Sequence, residues 1–329
     1  MDGGTITNTE KPAEPTIPHL RVMGSSRYDT AFQAANYMKT VKGIDQFDTV
    51  VVAYGGDFAD ALSGSYLAAV AEAPILLVHP MYEGDVLEYI GHNVKPTGKV
   101  YLLGGTSVVS EAFEQQLKNA SFDVKRLGGA NRFETNILIL EEGNALGGDA
   151  SEVLVASATR FADALSTSSV GKPILLAGAK LTADQQDYLR EAQPKNAWIV
   201  GGTSAVNATV EADLKNFVAD GGIKRLEGGN RYETSYMVAH EFFPGECETA
   251  ILVYGQNFPD GLSGGAVASV IGAPVLLAMD RDDMIANVAK WVQESGATKS
   301  VTFGGPTLVT DNNVRTIMAD PEAEIVLFE

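Results

Sequence analysis

The sequence predicts an α/β protein built from three tandem three-layer α/β/α units, each a parallel sheet with helices on both faces. The first observation behind this is a set of four motifs that occur three times each, always in the same order, with a period near 100 residues. The second is that short apolar segments alternate with helical patterns inside each unit, which is typical of parallel sheets covered by helices. The period is too long for a solenoid repeat and matches a small domain.

The four motifs are R-x-x-G-x-x-R-[YF]-[DE]-T, F-x-D-x-L-S, P-[IV]-L-L, and an apolar strand followed by Gly-Gly. Their key positions are Arg21, Phe58, Pro74 and Gly104 in the first unit, Arg126, Phe161, Pro173 and Gly201 in the second, and Arg225, Phe258, Pro274 and Gly304 in the third. Chance does not produce four ordered motifs three times each, so the chain contains a triplicated unit.

The elements of the first unit follow from the periodicity of its apolar residues. They are predicted, in order, as a strand at 49–55, a helix from 58, a strand at 74–78, a helix near 83–90, a strand at 99–105, a helix at 107–120 and a strand at 122–129. Strand copies begin at residues 19, 123, 222 and 324. Since there are four copies for three units, one strand is expected to cap a sheet edge or to close one repeat against another.

The second unit is shorter than its sisters. Eight residues separate Leu165 from Pro173, whereas twelve separate Leu62 from Pro74. Four residues make about one helical turn, so the same helix is predicted one turn shorter. The predicted organisation is a flexible leader or linker at 1–18, which is polar and contains proline, and repeats at 19–124, 125–223 and 224–329.

Composition limits the classes of partner. The 42 acidic residues exceed the 24 basic ones and give a net charge of -18, which disfavours nucleic acid and electrostatic docking on anionic membranes. Cys247 is the single cysteine, so the chain has no intrachain disulfide and no cysteine-based metal site. The longest apolar runs are too short to cross a bilayer. This balance suits a protein that works outside the cell.

Three arginines and three aspartates recur at the predicted carboxyl edges of the sheets, where parallel α/β folds place ligands. Each arginine is predicted to open a helix, and each aspartate to lie in the first turn of the following helix. They are Arg27, Arg132 and Arg231, and Asp60, Asp163 and Asp260. Each arginine either binds a phosphate or carboxylate in a bidentate manner or pairs with its unit's own aspartate and joins two loops.

The glycine pairs that follow strands have two interpretations. They form either tight turns or helix N-termini that bind an anion. Ser107, Ser204 and Thr307, or the residues beside them, are the predicted N-caps of the helices after these turns. The aromatic residues Phe58, Phe161 and Phe258 are predicted to plug the core beneath the loops.

Residues that could carry catalysis do not recur as a set. The repeated serines Ser63, Ser166 and Ser263 have no repeated histidine to activate them. Asp57 and Asp60 form a carboxylate pair in the first unit alone, because Arg160 and Asn257 replace Asp57 in the others, so a metal common to the units is not expected. We expect neither catalysis nor a cofactor.

Taken together, the four repeated motifs resemble the cell-wall-binding repeat type 2 family of Gram-positive surface proteins, and the resemblance covers residues 19–329. It implies a Toprim-like three-layer fold for each repeat and a pseudo-threefold module. The module would hold its host protein non-covalently at the extracellular wall surface by binding an anionic, teichoic-acid-like or polysaccharide polymer, and a separate effector region would carry the specific activity. The matching positions, expected to bind ligand, are Arg27, Tyr28, Asp60, Ser63, Arg132, Phe133, Asp163, Ser166, Arg231, Tyr232, Asp260 and Ser263.

Two considerations qualify the binding surface. An acidic protein repels an anionic polymer over a Debye length of about 8 Å, so a local basic groove is expected, lined by the motif arginines and by Lys125, Arg126, Lys224 and Arg225. The third repeat departs from the pattern at Pro259, Gly261 and Pro306, and the second has Lys172 where its sisters have alanine.

Two alternatives to a wall-binding function are an α/β enzyme acting on wall sugars or phosphorylated metabolites, and a structural surface-layer component.

Overall fold

The computed structural model describes residues 19–219 and 221–328, and the leader predicted at 1–18 lies outside them. The first third of the chain contains β1 (His19–Val22), α1 (Arg27–Lys42), β2 (Phe47–Tyr54), α2 (Ala59–Val70), β3 (Ile75–Val78), a 3-10 helix (Pro80–Tyr82), α3 (Glu83–Asn93), β4 (Val94–Leu103), α4 (Glu111–Asn119) and β5 (Asp123–Leu127).

The same succession recurs twice more. The second copy comprises α5 (Arg132–Ala145), β6 (Glu152–Ser157), α6 (Phe161–Ala164), a 3-10 helix (Leu165–Ser169), β7 (Ile174–Ala177), α7 (Ala183–Ala192), β8 (Asn196–Val200), α8 (Ala208–Leu214) and β9 (Ile223–Leu226). The third comprises α9 (Arg231–Phe242), β10 (Thr249–Tyr254), α10 (Pro259–Ile271), β11 (Val275–Ala278), α11 (Asp282–Ser295), β12 (Lys299–Phe303), α12 (Asp311–Met318) and β13 (Ile325–Leu327).

These strands form three sheets in which every pairing is parallel. The strand orders are β3-β2-β4-β5, β7-β6-β8-β9 and β11-β10-β12-β1-β13. The central strands are apolar on both faces, as Val50, Val51 and Val52 of β2 show by being fully buried, because helices cover both sides of a parallel sheet. The predicted fold class is confirmed.

Strand β1 completes the third sheet. Its Val22 carbonyl accepts a hydrogen bond from the Gly304 amide at 2.9 Å, as the Leu127 carbonyl of β5 accepts one from Gly104 at 2.8 Å. β1 therefore occupies beside β12 the position that β5 and β9 hold in the first two sheets. β13, which follows α12 as β5 follows α4, pairs with the outer edge of β1 instead.

The fourth strand copy is thus explained, because β1 closes the last repeat against the start of the chain and β13 caps an edge. The predicted unit 19–124 contains β1, a strand that pairs in the sheet of the predicted unit 224–329. The predicted ranges stay predictions as unit boundaries.

The units meet along α2, the helical segment 161–169 and α10, which pack against one another. Gly265 of α10 lies against Ser168, and a Cβ at position 265 would overlap that side chain, so this close approach requires glycine. The rings of Phe58, Phe161 and Phe258 meet at the N-terminal ends of these segments, with centroids 6.1, 6.2 and 5.5 Å apart. The three phenylalanines therefore join the units, and Phe58 is buried in the core, whereas Phe161 and Phe258 are half-buried against it.

The middle helix is shorter, as predicted, but it also changes type. α2 has 12 residues and α10 has 13, whereas α6 has 4 and continues into a five-residue 3-10 helix. The hydroxyl groups of Thr167 and Ser168 donate to the carbonyls of Ala164 and Leu165 at 2.6 and 2.8 Å. Serine and threonine compete for helical carbonyls in this way, and short 3-10 segments tolerate it.

Candidate functional site

The first arginine of the R-x-x-G-x-x-R motif supports the Gly-Gly loop that follows the adjacent strand. Arg21 on β1 donates to the carbonyls of Gly304 and Val309 and to the Asp311 carboxylate, each at 2.8 Å. Its side chain is 5% exposed. Because its three partners lie more than 280 positions along the chain, Arg21 fixes β1 in the third sheet.

Arg126 and Arg225 repeat this arrangement in the other two sheets. Arg126 donates to the Gly104 carbonyl at 2.9 Å, and Arg225 to the Gly201 carbonyl at 2.7 Å. Each also pairs with an acid of the helix that follows this Gly-Gly loop: Arg126 with Glu114 of α4, and Arg225 with Glu211 of α8. Sequence reasoning predicts both as lining of a basic groove, but their guanidinium groups are engaged in holding the loops.

The two lysines predicted beside them have partners too. Lys125 pairs with Glu142, and the Lys224 ammonium lies 4.5 Å from the ring centroid of Trp198, a favourable cation-π distance. We therefore leave Lys125 and Lys224 out of the proposed binding surface.

The helices that carry the second motif arginine begin with a shared cap. Ser26, Asn131 and Asn230 occupy the N-cap positions of α1, α5 and α9, and their side chains accept backbone N–H groups of the first turn. Their hydrogen bonds fix the start of each helix, so the next residue, the motif arginine, has a defined position. The predictions that Arg27, Arg132 and Arg231 open helices are confirmed.

Each of these arginines bonds the end of a neighbouring strand. Arg27 donates to the Gly55 carbonyl at 2.7 Å, Arg132 to the Ala158 carbonyl at 2.5 Å, and Arg231 to the Gly255 carbonyl at 2.7 Å. One guanidinium edge is therefore occupied within the arginine's own repeat. The other side of each guanidinium group faces a different repeat: Arg27 faces the third, Arg132 the first and Arg231 the second.

The second partner of each arginine differs between repeats. Arg132 pairs with Asp57 at 3.0 Å, whereas Arg27 and Arg231 lie over the rings of Phe258 and Phe161, 5.8 and 5.7 Å from their centroids. Within residues 19–219 and 221–328, Arg27 and Arg231 form no ion pair.

These contacts define three equivalent junctions, which we call clefts, each between the F-x-D segment and Gly-Gly loop of one repeat and the arginine loop of another. The first cleft comprises residues 57–60, 104–105 and 129–132, the second 160–163, 201–202 and 228–231, and the third 257–260, 304–305 and 24–27. The first cleft is a cavity of about 210 Å³ whose lining includes Tyr54, Asp57, Asp60, Ser107, Asn131 and Arg132.

The motif aspartates lie under the Gly-Gly loops. A Cβ on Gly104, Gly201 or Gly304 would come within 2.6, 2.8 or 2.5 Å of the carboxylate oxygen of the aspartate beneath. These glycines also have φ values of +97°, +94° and +104°, which favour glycine. The sequence requires glycine there for both reasons. Asp60, Asp163 and Asp260 lie in first helical turns, as predicted.

Burial changes the acidity of two of these carboxyl groups. Removal from water, reinforced by the neighbouring Asp57 charge, raises the pKa of Asp60 to about 6, and Arg132 opposes the rise. Burial likewise raises the pKa of Asp260, and Arg27 opposes that rise. Desolvation disfavours the charged form of an acid, so a carboxylate at position 60 costs folding free energy at neutral pH.

We expect Asp60→Asn to raise the free energy of unfolding by about 2 kcal/mol at pH 7. The pKa of Asp60 is higher in the folded than in the unfolded protein, so protonation of Asp60 stabilises the wild type below the unfolded pKa. This stabilisation is lost as the pH rises through 6. The gain should vanish near pH 4. Urea denaturation of both proteins at pH 4 and pH 7 measures it, and an equal difference at both pH values would contradict the assigned cause.

The repeated serines lie outside the clefts. Ser63, Ser166 and Ser263 are 1, 0 and 2% exposed, and each hydroxyl donates to a carbonyl of its own helix. Their ligand-binding role stays a prediction that nothing here supports, and we leave them out of the proposed site.

The aromatic residues after the arginines also support turns. Tyr28 packs against Gly55, and Tyr232 against Gly255, so closely that a Cβ on either glycine would lie 2.7 or 2.6 Å from the ring. Tyr28 also stacks on Tyr82 with centroids 4.2 Å apart. Phe133 lies against Gly178 in the second repeat. Ligand contact by Tyr28, Phe133 and Tyr232 stays a prediction.

The N-cap prediction for the helices after the Gly-Gly loops is wrong by three residues. The caps are Ser110, Asn207 and Thr310, because a turn at 106–109 and its counterparts separates the glycines from the helix. The glycine pairs are therefore turns that support the aspartates, and they are not themselves helix N-termini.

Across residues 19–219 and 221–328, no group of three or more His, Cys, Asp or Glu side chains is placed to hold a metal ion. No helix in that part of the chain combines the length and apolar character needed to span a bilayer.

Comparison with known proteins identifies relatives of this geometry. The chain is 27% identical over 257 residues to the N-acetylmuramoyl-L-alanine amidase LytC of Bacillus subtilis, a match that covers 76% of this chain and 48% of that protein. It is 27% identical over 305 residues to the amidase enhancer of the same organism, covering 91% of this chain and 40% of the enhancer. The chain thus spans less than half the length of these relatives.

Solved structures share the fold. Cwp8 from Clostridium difficile superposes with a TM-score of 0.79 at 23% identity over 92% of this chain and 51% of that one. Cwp6 from the same organism gives 0.80 at 22% identity over 97% and 50%.

The model of the family described as cell wall binding domain 2 matches residues 21–114, 126–211 and 225–314. Each match begins at the arginine that supports a Gly-Gly loop and includes the arginine, aspartate and glycine positions of the clefts. The chain belongs to the cell wall binding domain 2 family, and it is a cell wall binding module made of three family repeats.

Proposed function

We propose that the module is a non-covalent anchor that binds an anionic wall glycopolymer in the clefts between its repeats, outside the cell and without catalysing a reaction. The observation that carries the proposal is the pair Arg27 and Arg231, whose guanidinium groups lie over aromatic rings at the carboxyl edges of the sheets with no ion-pair partner among the described residues. Guanidinium groups bind phosphate and carboxylate groups through paired hydrogen bonds.

Charge makes this surface distinctive. The protein has a net charge of -18, so an anionic polymer is repelled except where cations are concentrated at close range. The guanidinium groups of Arg27 and Arg231 supply a cation at close range in two of the clefts. Several weak sites on one rigid module increase the joint hold on a long polymer.

The names of the relatives agree with a targeting role. One is an amidase and one an amidase enhancer, and the matched region occupies less than half of each. We infer that repeats of this kind hold proteins of different activities at the wall, and that this chain holds at the wall any region joined to it.

Sedimentation with purified Gram-positive walls tests the proposal. We expect the protein to pellet with native walls and to stay in solution with walls from which anionic polymers have been extracted by acid. Retention on native walls should fall between low salt and about 1 M NaCl, where the Debye length is about 3 Å. Equal retention on native and extracted walls would contradict an anionic ligand.

A further inference from the structure

We propose that the three clefts are unequal, and that the residue before the motif phenylalanine decides which of them binds an anion. This inference rests on the proposed function. In the first cleft Asp57 pairs with Arg132 and competes with an anion for it, whereas the second and third clefts have Arg160 and Asn257 at that position and no carboxylate to compete.

Asp57 and Asn257 have the same local role, so their difference is one of charge. The Asp57 side chain accepts the Phe58 amide at 2.7 Å, and the Asn257 side-chain carbonyl accepts the Phe258 amide at 3.0 Å. Both side chains thereby fix the turn into the following helix. The remaining carboxylate oxygen of Asp57 is what reaches Arg132, at 3.0 Å.

The arginines show the consequence. Arg132 has both guanidinium ends occupied, one by the Ala158 carbonyl and the other by Asp57. Arg27 has one end on the Gly55 carbonyl, and its second contact is the Phe258 ring. An incoming anion has to displace a carboxylate in the first cleft, but in the third it meets a guanidinium that has no ion-pair contact among the described residues.

The charged groups near each cleft support the same order. The first cleft holds one cation, Arg132, against Asp57 and Asp60. The third holds Arg27 against Asp260. The second holds two cations, which are Arg160 and Arg231, against two acids, which are Asp163 under Gly201 and Glu227 beside Gly202. Each arginine loop also carries one acid, namely Glu134, Glu233 and Asp29 in the first, second and third clefts. Acids therefore outnumber cations in every cleft, and the excess is one charge larger in the first.

Exchanging the two isosteric residues tests the proposal. We would titrate inorganic pyrophosphate into the full chain and follow the arginine Nε–Hε signals by NMR. In the wild type, the Arg27 and Arg231 signals should shift at concentrations about tenfold lower than the Arg132 signal, since a tenfold change corresponds to a single charged contact. Asp57→Asn should lower the Arg132 midpoint about tenfold, and Asn257→Asp should raise the Arg27 midpoint about tenfold.

The control is Asp48→Asn, which removes the same charge from an exposed residue paired with Lys95 and should leave the Arg132 midpoint unchanged. Equal midpoints for the three arginines, no response at any of them, or no effect of the exchange would overturn the inference. Wall sedimentation separates the two proposals. If the wild type is retained only on native walls but the substitutions do not change the arginine midpoints, the inference alone is refuted. If the wild type is not retained on native walls, the proposed function is refuted.

Discussion

A variant with Arg27, Arg132 and Arg231 replaced by glutamine is expected to lose about a hundredfold in affinity for native walls while it stays folded. Glutamine is two atoms shorter than arginine, so its amide does not reach the Gly55 and Gly255 carbonyls now bonded by Arg27 and Arg231. It lacks the charge and the fork-shaped donor set that bind an anion. Because the loops also lose a hydrogen bond, the stability of the variant has to be compared with that of the wild type to separate the two effects.

The measurement is sedimentation with native walls over a range of protein concentrations, with circular dichroism to show that the variant is folded. A control in which Lys95, Arg190 and Lys290 are replaced by glutamine makes the same change in net charge at exposed positions. That control should bind like the wild type. Full retention of the folded triple variant would refute a role for the motif arginines.

Arg21→Ala is expected to lower the free energy of unfolding by about 3 kcal/mol, because it leaves two carbonyls at the Gly-Gly loop without a donor. The Arg21 side chain is 5% exposed and connects β1 to the third sheet in addition to the backbone pairing of β1 with β12 and β13. Hydrogen exchange should accelerate first in β1 and in β12 and β13, the two strands that pair with it.

Arg190→Ala serves as the control for Arg21→Ala. Its side chain is 57% exposed, and exposed ion pairs contribute about 0–1 kcal/mol. Urea denaturation compares the two variants. If Arg21→Ala were no less stable than Arg190→Ala, β1 would not be held in place by this side chain.

Much of the fold could be predicted because the repeats supply the same information three times. One apolar segment such as 49–55 is ambiguous between strand and buried helix, but three copies followed by the same helical pattern are not. The position of β1 could not be predicted in this way, since a strand's apolar pattern does not identify its neighbour in the sheet. Four strand copies for three units were the only sign of the closure.

The sequence predicts the charged residues of the candidate site but not the residues that support its loops. Arg27 and Asp60 were identified from recurrence and from their place at the carboxyl edge. The loop-supporting role of Arg21 was missed, although the same motif begins with that arginine in all three repeats. Recurrence marks both kinds of residue alike, and Ser63 shows the limit, because it recurs yet is buried on a helical carbonyl.

The 3-10 segment shows a similar limit. The gap between Leu165 and Pro173 predicts a shorter helix, but it does not predict which hydrogen bonds the remaining residues form. Those depend on Thr167 and Ser168 bonding carbonyls three positions back, and on the close packing of Ser168 against Gly265. Such contacts exist only once the repeats are assembled.

The most direct test of the account is a crystal structure of this protein with a defined fragment of anionic wall polymer. The account predicts the anionic groups of the fragment within hydrogen-bonding distance of Arg231 and Arg27, at the carboxyl edges of the sheets. A fragment bound elsewhere on the protein, with both of those guanidinium groups left in contact with solvent, would contradict it.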